Sequence, residues 1–384
     1  MRGVPLSIAV IEEMIKHNPL EAKRSLESWI DSGYVELMAK KEIGSKFLQS
    51  IIPVPDERLR KKICRAVFHS DVFYSLCSDA HGSQFVQKLV EQCDSDDIAG
   101  VLPLVRGYFV VLSCGNYSTH AMQRLWDKFD DVMRMHLLGE LRGMEADLAI
   151  DRCGTYLISK VIESMGVFGY GPIVDSIASS SVRLHTVAEN VYGSRVVQVA
   201  LHKLEVESYR CDSRVAQALL NKLLIGIIED CEHFACHRFA NYIIQQIISS
   251  SLPGEHSTAV IKTFLGKLLR LSQEKYASHV LEKALDFGSA EMLYWMMEEI
   301  LDGYECDNEG WDAVGVMLMD RFGNYVVQKM LDVVVAVRLG RREGSAQWYD
   351  RLAVCIIRRR DDLQKYSSGK KILAKLEAVS LCRV

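Results

Sequence analysis

One frame of residues recurs along this chain and limits what it can fold into. Its clearest copy is Gly323-Asn324-Tyr325-Val326-Val327-Gln328-Lys329-Met330-Leu331. A small residue opens it. A polar residue, a planar one, two β-branched apolar ones, a glutamine, a base and two further apolar residues follow. Related frames open at Gly44, Gly82, Ser118, Gly154, Gly193, Ala240 and Ala277, with a degenerate ninth at Gly369. Successive openers lie 38, 36, 36, 39, 47, 37, 46 and 46 residues apart. A period of roughly 36–40 residues is that of a helical repeat of two or three helices.

Within a copy, Val326, Val327, Met330 and Leu331 fall at i, i+1, i+4 and i+5, which is one apolar stripe of a helix. A second amphipathic segment precedes each frame, as at 311–319 or 219–228. One such unit cannot bury its stripe alone, so the copies must stack. The expected architecture is all-α, a helical solenoid. A helical cap spans 1–32 (Ile8, Val10, Ile11, Met14, Ile15), eight repeats span 33–350, and a C-terminal cap half-repeat spans 351–384, all as one continuous domain. The small opener predicts a tight helix entry or a close approach to a neighbour.

Composition narrows the function. An array accommodates 384 residues, which exceed one ordinary domain. No apolar run reaches the 18 or so residues of a membrane span, and the N-terminus carries no cleavage-like leader. The 11 cysteines form no CxxC pair, as expected of reduced thiols in a cytoplasmic protein. Net charge is −4 with a pI near 6.3, which excludes gripping nucleic acid by charge alone and leaves room for a basic stripe on one face. No nucleotide loop, HExxH or GxSxG motif occurs, so the chain is expected not to be an enzyme and to need no cofactor. His81 is isolated. His233 and His237 are four apart with Cys236 adjacent, a weakly metal-like pattern whose expected role is structural, with no metal. Asp151-Arg152 and Asp320-Arg321 stand where a helix cap is needed.

The positions one, two and five residues after each opener are restricted in type. Offsets one and five lie a turn apart and are expected to share a face opposite the apolar stripe. The pairs are Ser45 and Gln49, Ser83 and Gln87, Thr119 and Gln123, Thr155 and Ser159, Ser194 and Gln198, Asn241 and Gln245, Ser278 and Glu282, and Asn324 and Gln328. Between them sit Lys46, Gln84, His120, Tyr156, Arg195, Tyr242, His279 and Tyr325. A hydrogen-bonding edge with a stacking group, once per repeat, suits the unstacked bases of a single strand. The competing reading is the solvated face of a protein-binding solenoid. Such a face favours Lys and Glu and does not keep glutamine at one offset in six of eight copies. A base follows the fifth position at Lys88, Arg124, Lys160, Lys283 and Lys329. These lie about 100° further round the helix and are candidate phosphate contacts.

These frames resemble the Pumilio (PUF) repeat. The resemblance covers about 40–377 and supplies the family's eight repeats with flanking half-repeats. The segment Tyr366-Ser367-Ser368-Gly369-Lys370-Lys371-Ile372-Leu373-Ala374-Lys375-Leu376 resembles the family's C-terminal cap. The resemblance implies a right-handed superhelix that binds single-stranded mRNA on its concave face, antiparallel to the chain. One base per repeat is the family's rule, not a deduction from these residues. On that rule Asn324, Tyr325 and Gln328 match a uracil reader, and Ser278, His279 and Glu282 a guanine reader. Asn241, Tyr242 and Gln245 match uracil again, and Ser194, Arg195 and Gln198 adenine. Together they spell UGUA. Repeats one to four depart from the pattern, since Ser159 replaces the usual amide and Lys46 and Gln84 are weak stacking groups. An adenine-leaning 3′ half is expected.

The implied function is binding to UGUA-containing elements in mRNA 3′ untranslated regions, with translation or mRNA stability lowered by recruited repressor or deadenylase-complex proteins. Two of the intervals between the eight full frames are long, 193–240 and 277–323. The first excess falls near 205–213. The second is the acidic loop 302–310, where Tyr304 is a candidate docking residue by resemblance to germline members. A monomer is expected. The alternatives are a protein-binding α-solenoid scaffold and a nucleolar PUF-like ribosome-assembly factor. The acidic pI and the UGUA-matching half weigh against the second.

Overall fold

The computed structural model describes residues 7–52, 56–250 and 254–381. Every regular element among them is a helix. None is long and apolar enough to cross a membrane.

Each repeat consists of three helices. In the seventh, a short first helix (Leu268–Ser272) leads into a central helix (Ala277–Phe287) and then a third (Ala290–Asp302). Each buries the residues its periodicity selects: Leu268 and Leu271, then Val280, Leu281, Ala284 and Leu285, then Met292, Leu293, Met296, Met297 and Ile300. A fully buried side chain of this size contributes about 1.5–3 kcal/mol. Ser289 starts the third helix by accepting from the Met292 amide at 3.3 Å. The same order runs from Val35–Ala39, Glu42–Ile51 and Glu57–Val67 in the first repeat to Ala313–Met319, Gly323–Arg338 and Gln347–Arg358 in the eighth.

The helices group into two compact units, Met1–Ser176 and Ile177–Val384. The first unit holds repeats one to four behind the pair Ile8–His17 and Pro19–Asp31, which packs on the central and third helices of repeat one as a preceding repeat would. The second unit holds repeats five to eight, followed by Arg360–Leu363 and Ser367–Leu381. Residues 1–6 and 382–384 of the expected caps lie outside the described residues.

The glycine openers have one physical cause. A Cβ on Gly44 would stand 2.3 Å from the Met38 carbonyl oxygen, and one on Gly193 2.2 Å from that of Val187. Gly82 meets Leu76, Gly154 meets Leu148, Gly323 meets Met317 and Gly369 meets Leu363 in the same way. The spacing is six residues each time, because the central helix starts directly on the last turn of the first helix. Ser118 turns this approach into a hydrogen bond, its Oγ donating to the Leu112 carbonyl at 2.5 Å.

The long intervals differ from each other. Near 205–213, where the sequence shows only an excess of length, the excess is absorbed by helix. The central helix of repeat five runs Gly193–Arg210, its third helix runs Arg214–Glu229, and a short turn with Asp212 at φ 50° joins them. The second excess, expected over 302–310, is a loop from residue 303 onward, Asp302 being the last residue of the helix. Asp307 Oδ1 folds its end by accepting from the Glu309 and Trp311 amides at 2.9 and 2.8 Å.

Candidate nucleic-acid interface

All eight central helices share one burial pattern. The opener and the next residue are buried, the second is exposed, the third and fourth are buried, and the fifth is half-buried. Successive side chains on a helix are about 100° apart, so this is one helix orientation repeated eight times.

The pattern corrects the expectation that offsets one and five lie together on an open face. The first position is inside. Ser45, Ser83, Thr119, Thr155, Ser194, Asn241, Ser278 and Asn324 are 1–7% exposed. Buried polar groups need partners, and six of these use the backbone. Ser45 Oγ donates to the His81 carbonyl at 2.8 Å and Thr119 Oγ1 to that of Cys153 at 3.4 Å, each just before the next repeat's opener. Ser83 and Ser278 bond to carbonyls of their own entry turns, Ala80 at 3.4 Å and Lys275 at 3.1 Å. Asn241 Nδ2 donates to the His237 carbonyl at 2.8 Å, and Asn324 Nδ2 to that of Asp320 at 2.9 Å.

The first position also holds the fifth. Gln245 Nε2 donates to Asn241 Oδ1 at 2.8 Å and Gln328 Nε2 to Asn324 Oδ1 at 3.0 Å. Gln49 donates to Ser45 Oγ at 3.0 Å and Gln123 to Thr119 Oγ1 at 3.3 Å. Gln198 bonds instead to the Ser194 carbonyl at 3.0 Å. An amide held by one N–H keeps a second N–H and its carbonyl oxygen, a donor beside an acceptor. Gln87 and Ser159 occupy the same half-buried position. Glu282 there is a carboxylate, which as an anion only accepts, and it lies 3.1 Å from His279 Nδ1.

The second position stands in solvent. Tyr156, Tyr242 and Tyr325 are 52, 56 and 53% exposed. Lys46, Gln84, His120, Arg195 and His279 are exposed at the same place. An exposed tyrosine ring presents apolar surface that a planar ligand covers.

The five candidate phosphate cations all have internal contacts. Lys160 pairs with Asp127 at 2.7 Å, Lys329 with Asp286 at 2.9 Å and Arg124 with Glu91 at 3.5 Å. In each case the acid sits nine residues after the preceding repeat's opener. Lys375 and Asp332 extend this ladder into the cap. Lys88 pairs with Glu91 at 3.0 Å, and Lys283 lies over the Phe287 ring at 5.2 Å. The sequence places these cations by their angle alone, and misses the acids at offset nine that face them.

Three residues before the opener is a cap. Asp320 Oδ1 accepts from the Phe322 and Gly323 amides at 2.7 and 2.8 Å, and Asp151 Oδ1 from those of Cys153 and Gly154 at 2.9 and 2.6 Å. Asp79 and Asn190 do the same. In repeat six His237 takes the role, Nδ1 accepting from Phe239 and Ala240, both at 3.3 Å. Burial pushes the His237 pKa down, in keeping with a neutral acceptor ring. His233 turns away from this cap toward Glu189 and His185, a grouping that their separation in sequence hides.

Tyr304 is not the free aromatic its loop suggests. It is half-buried. Its hydroxyl accepts from the Leu269 amide at 3.2 Å and donates to the Glu299 carboxylate. Burial, then the bond to Glu299, pushes its pKa up to about 12. Glu299 also accepts from the Gly266 and Leu268 amides at 2.6 and 2.9 Å, so the loop is tied to the first helix of repeat seven.

Comparison with known proteins gives the lineage. A model of the Pumilio-family RNA binding repeat matches residues 73–102, 108–142, 230–262, 267–301 and 317–335. Pumilio domain-containing protein 6 of Caenorhabditis elegans is 30% identical over 91% of this chain and 75% of its own length. Fem-3 mRNA-binding factor 1 of the same organism is 30% identical over 93% of this chain, which spans 62% of that relative. Among solved structures, PUF-6 in complex with 5BE13 RNA superposes with a TM-score of 0.83 at 28% identity, covering 92% of this chain and all of that one. With eight copies of the repeat and relatives aligned along nearly its whole length, the chain belongs to the Pumilio (PUF) family of RNA-binding repeat proteins.

Proposed function

We propose that this protein binds single-stranded RNA in a sequence-specific way, through the second and fifth positions of its central helices, at UGUA-containing elements of mRNA 3′ untranslated regions. Repeats eight, seven, six and five take U, G, U and A. The observation that carries this reading is an exposed side chain beside a half-buried polar edge in all eight repeats, the exposed group being tyrosine, histidine or arginine in six and the edge a tethered glutamine in five. In repeats six and eight that edge is a glutamine held by a buried asparagine, and in repeat seven it is a carboxylate. A carboxylate accepts from the N1 and N2 donors of guanine, which an amide oxygen does less fully. A PUF structure bound to RNA and a relative named for binding an mRNA support the ligand class. The buried first position acts by orienting the fifth. A phosphate contact from Lys160 or Lys329 would have to displace an acid from the preceding repeat.

The consequence for a bound message is lowered translation or stability through recruited repressor or deadenylase-complex proteins, with the 302–310 loop as a candidate docking element. There the exposed acids Glu305, Asp307 and Glu309 face a partner, while the Tyr304 hydroxyl is held by Leu269 and Glu299. Fluorescence anisotropy with labelled oligonucleotides tests the reading. An RNA carrying UGUA should bind at least tenfold more tightly than the same RNA with UCUA. Equal affinities would overturn the assignment.

A further inference from the structure

His185 lies on the first helix of repeat five (Ser181–Ala188), and Glu189 is that helix's C-cap. His233 lies on the first helix of repeat six (Cys231–Cys236). Glu189 Oε1 is 2.7 Å from His185 Nδ1 and 2.8 Å from His233 Nε2. The three ligand atoms lie within 4.8 Å of one another. Behind them, His185 Nε2 is 2.9 Å from Asp230 Oδ2.

Hydrogen counting shows what charge this arrangement calls for. Asp230 as a carboxylate accepts, so the hydrogen of a neutral His185 belongs on Nε2. Its Nδ1 lone pair then faces the Glu189 oxygen, acceptor against acceptor. The gap needs a positive centre, either a second ring proton or a metal ion. His233 brings a third ligand atom to the same point, which a proton does not require. A carboxylate behind a ligating histidine is the usual second layer of a zinc site, where it fixes the ring and its tautomer.

We propose that His185 Nδ1, Glu189 Oε1 and His233 Nε2 form a site for a divalent transition metal of the zinc class, with Asp230 orienting the His185 ring. Bonds of about 2.0–2.1 Å in a tetrahedral site set ligand atoms about 3.3 Å apart, so small rotations of these partly exposed side chains suffice. Two imidazoles and one carboxylate select zinc-like ions over magnesium or calcium. The fourth position opens to water, since the His233 side chain is 56% exposed. The ion ties together the first helices of two consecutive repeats, each of which leads into a central helix, one bearing Arg195 and Gln198, the other Tyr242 and Gln245. His237 takes no part, because its Nδ1 is committed to the helix cap.

The test uses the full chain stripped with a chelator. Zn²⁺ is titrated against a chromophoric competitor, and Co²⁺ is added as a spectroscopic probe. One equivalent should bind. The Co²⁺ form should show visible bands of a four-coordinate site without a thiolate charge-transfer band. Glu189→Gln and His233→Ala should each weaken Zn²⁺ binding at least tenfold, and Asp230→Asn about 10–100-fold. Circular dichroism melts of the metal-free variants should stay close to wild type. No stoichiometric binding, wild-type affinity in Glu189→Gln and His233→Ala, or a thiolate band pointing to the buried thiols Cys64 and Cys93, whose sulfurs lie 3.6 Å apart, would each overturn the proposal.

Discussion

Gln328 Nε2 donates to Asn324 Oδ1 at 3.0 Å across one helical turn, while Asn324 Nδ2 holds the Asp320 carbonyl at 2.9 Å. The asparagine is buried and the glutamine reaches solvent. One residue therefore sets the orientation of the other before any ligand arrives. Immobilising such a side chain on binding costs about 0.5–1.5 kcal/mol, much of which is met in advance here. Replacing Asn324 by Ala should lower unfolding free energy by about 1 kcal/mol. It should also weaken RNA whose first read base is uracil more than RNA lacking that base. Urea denaturation and anisotropy check the two effects.

The seventh repeat tests the base code. The double substitution Ser278→Asn and Glu282→Gln gives it the pair found in repeats six and eight. Preference at the second base should move from G to U, with a discrimination of about 1–3 kcal/mol by analogy with bidentate base contacts. Retained preference for G, measured by competition binding, would show that another residue reads this base.

The openers test the packing. A methyl at Gly193 meets the Val187 carbonyl oxygen at 2.2 Å, and the backbone must shift to admit it. Gly193→Ala should cost about 1–3 kcal/mol, the range for overpacking. Gly100 has open space around it, so Gly100→Ala should not be destabilising. Urea midpoints separate the two.

The cap of repeat six rests on an imidazole where others use Asp or Asn. His237→Ala should destabilise by about 1 kcal/mol, as loss of a cap does. His237→Asp should keep most of that stability, because Asp79, Asp151 and Asp320 fill the same place. Thermal melts of the pair decide it.

The cation ladder is expected to be structural. Lys160→Ala should cost no more than about 1 kcal/mol. It should leave the salt dependence of RNA binding unchanged, whereas a lost phosphate contact would reduce the slope by about 0.7. A reduced slope would return Lys160 to the RNA backbone.

Most of the fold was legible in the sequence because a repeat states its periodicity many times over. The opener, the Val326-Val327 stripe and the restricted second and fifth positions each recur at fixed offsets, and those offsets translate directly into faces of a helix. The burial of Asn324 and Ser45 was not legible. Helical angle says which residues share a side, but not that the neighbouring repeat covers one edge of it. The insertion near 205–213 was visible as length, yet length alone does not distinguish a longer helix from a loop. Tyr304 looked free because Glu299 and Leu269, which hold it, belong to other elements. The ladder acids Glu91, Asp127 and Asp286 were available at a constant offset, as were the caps three residues before the openers. In the His185–Glu189–His233 grouping only the four-residue spacing of His185 and Glu189 was available, since His233 joins them when consecutive repeats stack.

The most direct test of RNA reading by these helices is selection of ligands from a random RNA pool by the purified chain at a stated salt concentration. Enrichment of UGUA followed by an adenine-rich 3′ segment is the expected result, and the spacing would show which bases repeats one to four take. A pool that stays flat would contradict RNA reading by the central helices and leave their exposed side chains to a protein ligand.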